Sequence, residues 1–295
     1  MENSSRRDFF KKTIMALAAF ALLPQSASAL KRRPYATLEN VKRARGNVAS
    51  GADIFDALCA PENASMFKSA VICDFSALSE SSDAEISKNA ALMKFCKGGG
   101  ELKYCARISS GLSVSKYLDE VLSGDKCAAI SLFVSSLKDV SSEHFIFALK
   151  KASEAGKPVY LFANAKGGEF SLETGDMLLA QCVMNLAESG IFKNFEGLKI
   201  ILPHSGAALL SSLAMRGVES GDGGIYAPFM SKVFYLLDGE IPDEFFNLIK
   251  TVVPSSQFLF ASSNGGAGAI ERFESLPLSE AWFKRISSEN AKSLF

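Results

Sequence analysis

The run Phe195-Glu-Gly-Leu-Lys-Ile-Ile-Leu-Pro-His-Ser-Gly-Ala-Ala-Leu-Leu-Ser-Ser-Leu-Ala-Met-Arg216 decides the fold. Leu198 to Leu202 is a short apolar, β-branched stretch that reads as a buried strand. It ends on Pro203, His204, Ser205 and Gly206, and a helical pattern carrying Leu209, Leu210 and Leu213 follows at once. An α/β barrel presents its chemical groups in this way, on the loops at the C-terminal ends of its strands. His204 is therefore read either as a reacting group at a barrel mouth or as a ring that caps its own turn.

The same rhythm extends in both directions. Strands are expected at Ala70–Cys73, Leu102–Ile108, Ala128–Val134, Val159–Phe162, Lys232–Leu237 and Gln257–Ala261, with helical patterns between them. Ser142–Ala155 reads as one such helix, closed by Gly156 ahead of Pro158, and Met177–Ala187 as another. Seven strands at this spacing predict an α/β fold, a (β/α)8 TIM-type barrel whose first strand is atypical or missing. A doubly wound open sheet is the competing architecture.

Two segments resemble a known family. The first is Ser189-Gly190-Ile191, Phe195, Leu198-Lys199-Ile200-Ile201 and His204-Ser205-Gly206-Ala207-Ala208-Leu209; the second is Ile286, Asn290, Ala291, Leu294 and Phe295. Both are similar to segments of the amidohydrolase-related metal-dependent hydrolases, in the branch of aminocarboxymuconate semialdehyde decarboxylase. The resemblance spans roughly residues 50 to 295 and implies hydrolase or carboxy-lyase descent. It also implies a zinc site with His-x-His on the first strand, a histidine on the fifth, an aspartate on the eighth, and a sixth-strand histidine serving water or substrate. Zinc needs three or four such ligands. Here no His-x-His exists, Phe162 stands at the fifth-strand position and Ser263 at the eighth, and only His204 matches. The expectation is that the zinc site cannot be rebuilt, that no cofactor is taken, and that the chain is a pseudoenzyme with little metal-dependent catalysis.

The six cysteines contain no C-x-x-C pair, so their spacing suggests no metal knuckle and fixes no disulfide connectivity. The strand ends offer Asp74, Arg107, Asn164, His204, Asp238, Ser263 and Asn264 to the mouth. Arg107, Asn164, Ser263 and Asn264 are candidate ligand-binding residues, while His204 and Asp238 form a candidate acid–base pair. Arg107 either clamps a carboxylate in bidentate fashion or closes the barrel top in an ion pair. The glycine-rich loop Asn264–Gly268, ahead of a helix, could receive an anion. A small anionic molecule is thus one expected partner, and the other reading is a non-catalytic binding or partner subunit exported with a second protein.

The chain has 295 residues, 48% hydrophobic and 22% charged, which suits one large barrel. Residues 1–29 read as a targeting segment. Ser5-Arg6-Arg7-Asp8-Phe9-Phe10-Lys11 resembles a twin-arginine signal, followed by an apolar run to Leu23 and the small-residue site Ala27-Ser28-Ala29. That run is too short for a stable membrane span. Export to the periplasm by the twin-arginine machinery is expected, with residues 30–50 as a basic linker and 51–295 as the barrel domain. Beyond residue 29 there are 28 Lys+Arg against 30 Asp+Glu, so no basic surplus exists to hold nucleic acid.

Overall fold

The computed structural model describes residues 54–74, 81–113, 116–163, 172–206, 208–209, 227–238, 246, 249, 253–263 and 266–295. The signal segment, the basic linker, Asn164 and Asn264 lie outside these residues. Eight strands pair in parallel in sequence order: β1 Phe55–Cys59, β2 Ser69–Ile72, β3 Glu101–Ile108, β4 Cys127–Val134, β5 Val159–Ala163, β6 Ile200–Leu202, β7 Val233–Leu237 and β8 Phe258–Phe260. The α helices include α1 Ser82–Lys97, α2 Lys116–Leu122, α3 Glu143–Glu154, α4 Leu172–Glu188 and α5 Gly266–Ser275. This is a TIM-type barrel, and the open-sheet alternative falls.

The first strand exists, and its composition explains why it is hard to read. Every residue of β1 is buried, yet Asp56 interrupts the apolar run and the register with β2 shifts between Asp56 and Cys59. The carboxylate does structural work there. It accepts the Leu58 N–H at 3.1 Å and the Ser262 N–H at 2.9 Å, and also the Ser262 hydroxyl. Alongside it, Ser263 N–H donates to Leu58 O at 2.7 Å and Ala60 N–H to Ser263 O at 3.2 Å. These bonds join β8 to β1 through a single bridge and bring the cylinder of described strands close to closure. Burial is the main reason that the Asp56 carboxyl is pushed up to about 7, against the pull of its three donors.

Helix boundaries follow their caps. Ser142 Oγ accepts the Phe145 N–H at 3.3 Å to open α3, and Gly156 takes φ +66° after its end. Ser81 Oγ does the same for Ala84 N–H at the start of α1. The C-terminal motif reads physically as a clasp. The Asn290 amide donates to Ser255 O at 2.7 Å and Phe258 O at 2.8 Å, fixing the last helical turns under β8.

The barrel axis is filled by aromatic rings. Phe55 stacks on Phe295 with centroids 5.7 Å apart, Phe295 on Tyr160 at 6.3 Å, and Tyr160 on Phe162 at 6.0 Å. Phe162 then meets Phe133 at 5.6 Å, and the Arg107 guanidinium lies 5.4 Å from that ring. A column of this kind adds ring–ring attraction to the area term and leaves a packed core rather than a pore. No described helix is long and apolar enough to cross a membrane.

Candidate functional site at the barrel mouth

His204 stands just beyond β6 in a left-handed conformation, φ +52°, which a non-glycine residue holds only when its surroundings enforce it. The enforcing group is Asp238, beyond β7. Its Oδ1 accepts the His204 main-chain N–H at 2.7 Å, and its Oδ2 accepts the Ser263 hydroxyl at 3.2 Å. Ser263 is itself left-handed, φ +46°. One carboxylate thus spans the mouth from β6 to β8 and holds two strained residues. Gly206 completes the turn at φ +60°, where a Cβ would meet the Tyr235 ring at 2.4 Å.

The imidazole has a different partner. Asp176, in the first part of α4, lies 2.8 Å from His204 Nδ1. Burial alone would lower the His204 pKa and is the largest single influence. The hydrogen bond to Asp176 and the charges of Asp238 and Asp176 together outweigh it, so the ring is held above the usual histidine value. Asp238 is raised by its burial, with the His204 charge opposing. A shallow recess of about 10 Å³, room for little more than one water, borders Asp176, Leu202, Pro203 and Gly206 beside this pair.

Sequence reading pairs His204 with Asp238, and the structure brings them together through the backbone; the side-chain partner, Asp176, was missed. Asp176 lies 28 residues upstream in another element, and no local spacing announces it. Ser263 does reach the mouth, through Asp238. Arg107 goes elsewhere. It is 1% exposed, and its Nε and Nη2 meet the two Glu85 carboxylate oxygens at 2.9 and 3.3 Å. Its Nη1 meets the Asp74 main-chain oxygen at 3.0 Å and carboxylate at 3.2 Å. The fork expected for a ligand is taken up by the chain's own carboxylates, so the closing ion pair is the reading that the geometry favours over the clamp. Asn89 locks the same corner, exchanging two 2.9 Å bonds with the Arg107 backbone.

The cysteines Cys59, Cys73, Cys96, Cys105, Cys127 and Cys182 are all buried and free. Burial pushes Cys96 up to about 11 and Cys127 and Cys182 up to about 12, so these thiols stay protonated and pack as small hydrophobes.

No family model matches the chain, and no curated protein is similar to it. Solved structures are. Dihydroxybenzoic acid decarboxylase from Polaromonas sp. JS666 superposes with a TM-score of 0.64 at 16% identity, covering 86% of this chain and 84% of that one. 2,6-Dihydroxybenzoate decarboxylase from Rhizobium gives 0.63 at 14% identity, with 79% and 85% covered. 5-Carboxyvanillate decarboxylase from Novosphingobium aromaticivorans gives 0.63 at 14% identity, with 79% and 78% covered.

The first and third of these hold manganese, which overturns the expectation, drawn for this chain from its missing zinc ligands, that no cofactor is taken. The expectation was framed on a zinc pattern, whereas manganese favours oxygen and imidazole donors in other arrangements. In this chain the described residues bring together no group of three His, Cys, Asp or Glu able to hold a metal. Phe162 is packed between Tyr160 and Phe133, Asp238 holds two donors, and Asp74 faces Arg107. The described donor set does not fit the ion. What the superpositions establish is architecture: the chain shares the barrel fold of the amidohydrolase-like decarboxylases.

Proposed function

We propose that this protein is an exported barrel of hydrolase or carboxy-lyase descent that binds a small anionic molecule at its mouth through His204. The observation that carries the reading is the histidine held in a strained turn by Asp238, with its ring Nδ1 2.8 Å from the Asp176 carboxylate. Strain of this kind, enforced by a buried carboxylate, marks positions that a fold holds for a purpose beyond packing. Phe162 and Ser263, where the resemblance calls for ligands, argue for binding over the ancestral turnover. His204 supplies the charge, Asp176 orients its ring, and Ser263 offers a hydroxyl close to Asp238. Export rests on the twin-arginine pattern Ser5–Lys11.

Calorimetric titration with 2,6-dihydroxybenzoate and with inorganic phosphate, each with and without manganese, tests the site. The reading expects binding to the wild type, at least tenfold weaker binding to His204→Ala, and carbon dioxide release at background. Manganese-dependent release would restore the ancestral reaction, and equal binding by His204→Ala would remove the histidine from the site. Export is tested by fusing residues 1–29 to a reporter that acts only outside the cytoplasm; an Arg6→Lys/Arg7→Lys signal should leave it inside.

A further inference from the structure

The opposite end of the barrel carries a pattern the mouth does not use. Six consecutive strands each have a lysine within two residues of their first residue: Lys68 for β2, Lys103 for β3, Lys126 for β4, Lys157 for β5, Lys199 for β6 and Lys232 for β7. Parallel strands all start at the same end, so these residues share the floor. Main-chain bonds show the adjacency directly. Tyr104 N–H donates to Lys126 O at 2.9 Å, Val159 N–H to Lys199 O at 2.9 Å, and Ile200 N–H to Lys232 O at 2.8 Å.

Four of the ammonium groups are tied to backbone oxygens, and Glu101 is the acidic group that feels the charges of Lys68 and Lys103. Lys126 donates to Gly100 O at 2.8 Å, Lys157 to Cys127 O at 2.7 Å, Lys232 to Phe192 O at 2.7 Å, and Lys103 to Phe295 O. Among the described residues none of the six forms a salt bridge to Asp or Glu. Their mutual repulsion is felt: after burial, the charges of Lys157 and Lys126 help to lower the Lys103 pKa. Glu101 stands among them, bonded to Ser69, and Asp125 and Glu196 lie in the adjoining turns. Helix α1 ends where β3 begins, adding Lys94, Lys97 and Phe95, one of three large apolar side chains that are exposed.

We infer that the floor of this barrel is a docking surface for an anionic lipid bilayer, met by the lysine ring with Phe95 at its edge. Lysine rather than arginine occupies all six positions. Arginine's planar fork recognises single carboxylates or phosphates in bidentate fashion, whereas a set of compact ammonium charges suits the diffuse field of many headgroups. An exposed aromatic beside basic residues is the usual second element of interfacial binding.

Co-sedimentation of the full chain with vesicles of equal parts phosphatidylglycerol and phosphatidylcholine tests this, beside pure phosphatidylcholine vesicles. The ring predicts binding to the anionic vesicles alone in 50 mM NaCl and its loss in 500 mM NaCl. The variant Lys68→Glu/Lys199→Glu alters ammonium groups that make none of the main-chain bonds above. It should keep the wild-type melting temperature and bind at least tenfold more weakly. If it fails to fold, the exposed single change Lys68→Glu should still weaken binding at least twofold. Unchanged vesicle binding in a folded variant, or none by the wild type, would overturn the inference. Competition by soluble polyglutamate as effective as the vesicles would also overturn it, in favour of an acidic protein segment.

Discussion

At the mouth of the barrel, Arg107 lies within 3.2 Å of Glu85 and Asp74, and His204 lies 2.8 Å from Asp176. At the floor, Lys126, Lys157 and Lys232 turn instead to main-chain oxygens and meet no carboxylate. The two ends solve the same electrostatic problem differently because their burial differs. Arg107 and Glu85 are almost wholly out of water, where an unpaired charge costs several kcal/mol, so pairing is compulsory. The floor lysines keep contact with solvent, which screens them, so their charge can be left standing for something outside the fold. Charge answered within the chain serves the fold and the site; charge left over is available to a partner.

The largest test of that contrast is to remove one buried partner. Arg107→Met should destabilise the protein by about 3–5 kcal/mol in urea unfolding, since Glu85 would be left buried and uncompensated. Lys157→Gln, which loses a half-buried charge but can still reach Cys127 O, should cost less than about 1 kcal/mol. Equal losses would erase the distinction between the ends. Next in size is Gly206→Ala, where both the left-handed backbone and the Tyr235 ring oppose a Cβ. It should cost about 1–3 kcal/mol and weaken mouth binding together with stability.

The pH dependence sharpens the comparison further. Asp56 has a folded value near 7 against 3.8 unfolded, so the folded state holds a proton that the unfolded chain has released. Stability from this group is full below pH 3.8, falls between 3.8 and about 7, and is flat above. The slope it adds in that window is at most about 1.4 kcal/mol per pH unit. His204, also raised, loses its contribution as pH climbs from 6.5 through its higher folded value. Urea unfolding at pH 4.5, 6, 7.5 and 9 should show a decline that Asp56→Asn flattens below pH 7 and His204→Ala flattens only above pH 6.5.

Much of this was legible along the chain, for reasons visible in single residues. Seven strands announced themselves because buried parallel strands are nearly continuous apolar runs, and α3 because Ser142 and Gly156 bracket it. The first strand hid behind Asp56, whose partners lie 206 residues away in Ser262. The mouth was half legible. His204, Asp238 and Ser263 do converge, since all three follow strand ends. Asp176 was invisible, because a helix carboxylate meets its histidine only after α4 packs on β5 and on the His204–Gly206 turn. Arg107 was read with its ion pair as one of two outcomes, and only Glu85 from α1 decides between them. Phe162 and Ser263 led to the expectation of no cofactor, which did not survive comparison with manganese-holding barrels of the same fold.

The account turns on whether the mouth histidine is charged by its carboxylate frame. The chain has two histidines, exposed His144 and His204, so imidazole NMR gives each its own titration curve. The account predicts a His204 midpoint above 6.5 that drops in Asp176→Asn while His144 stays where it was. A His204 midpoint at or below 6.5, or one that ignores the loss of Asp176, would contradict it.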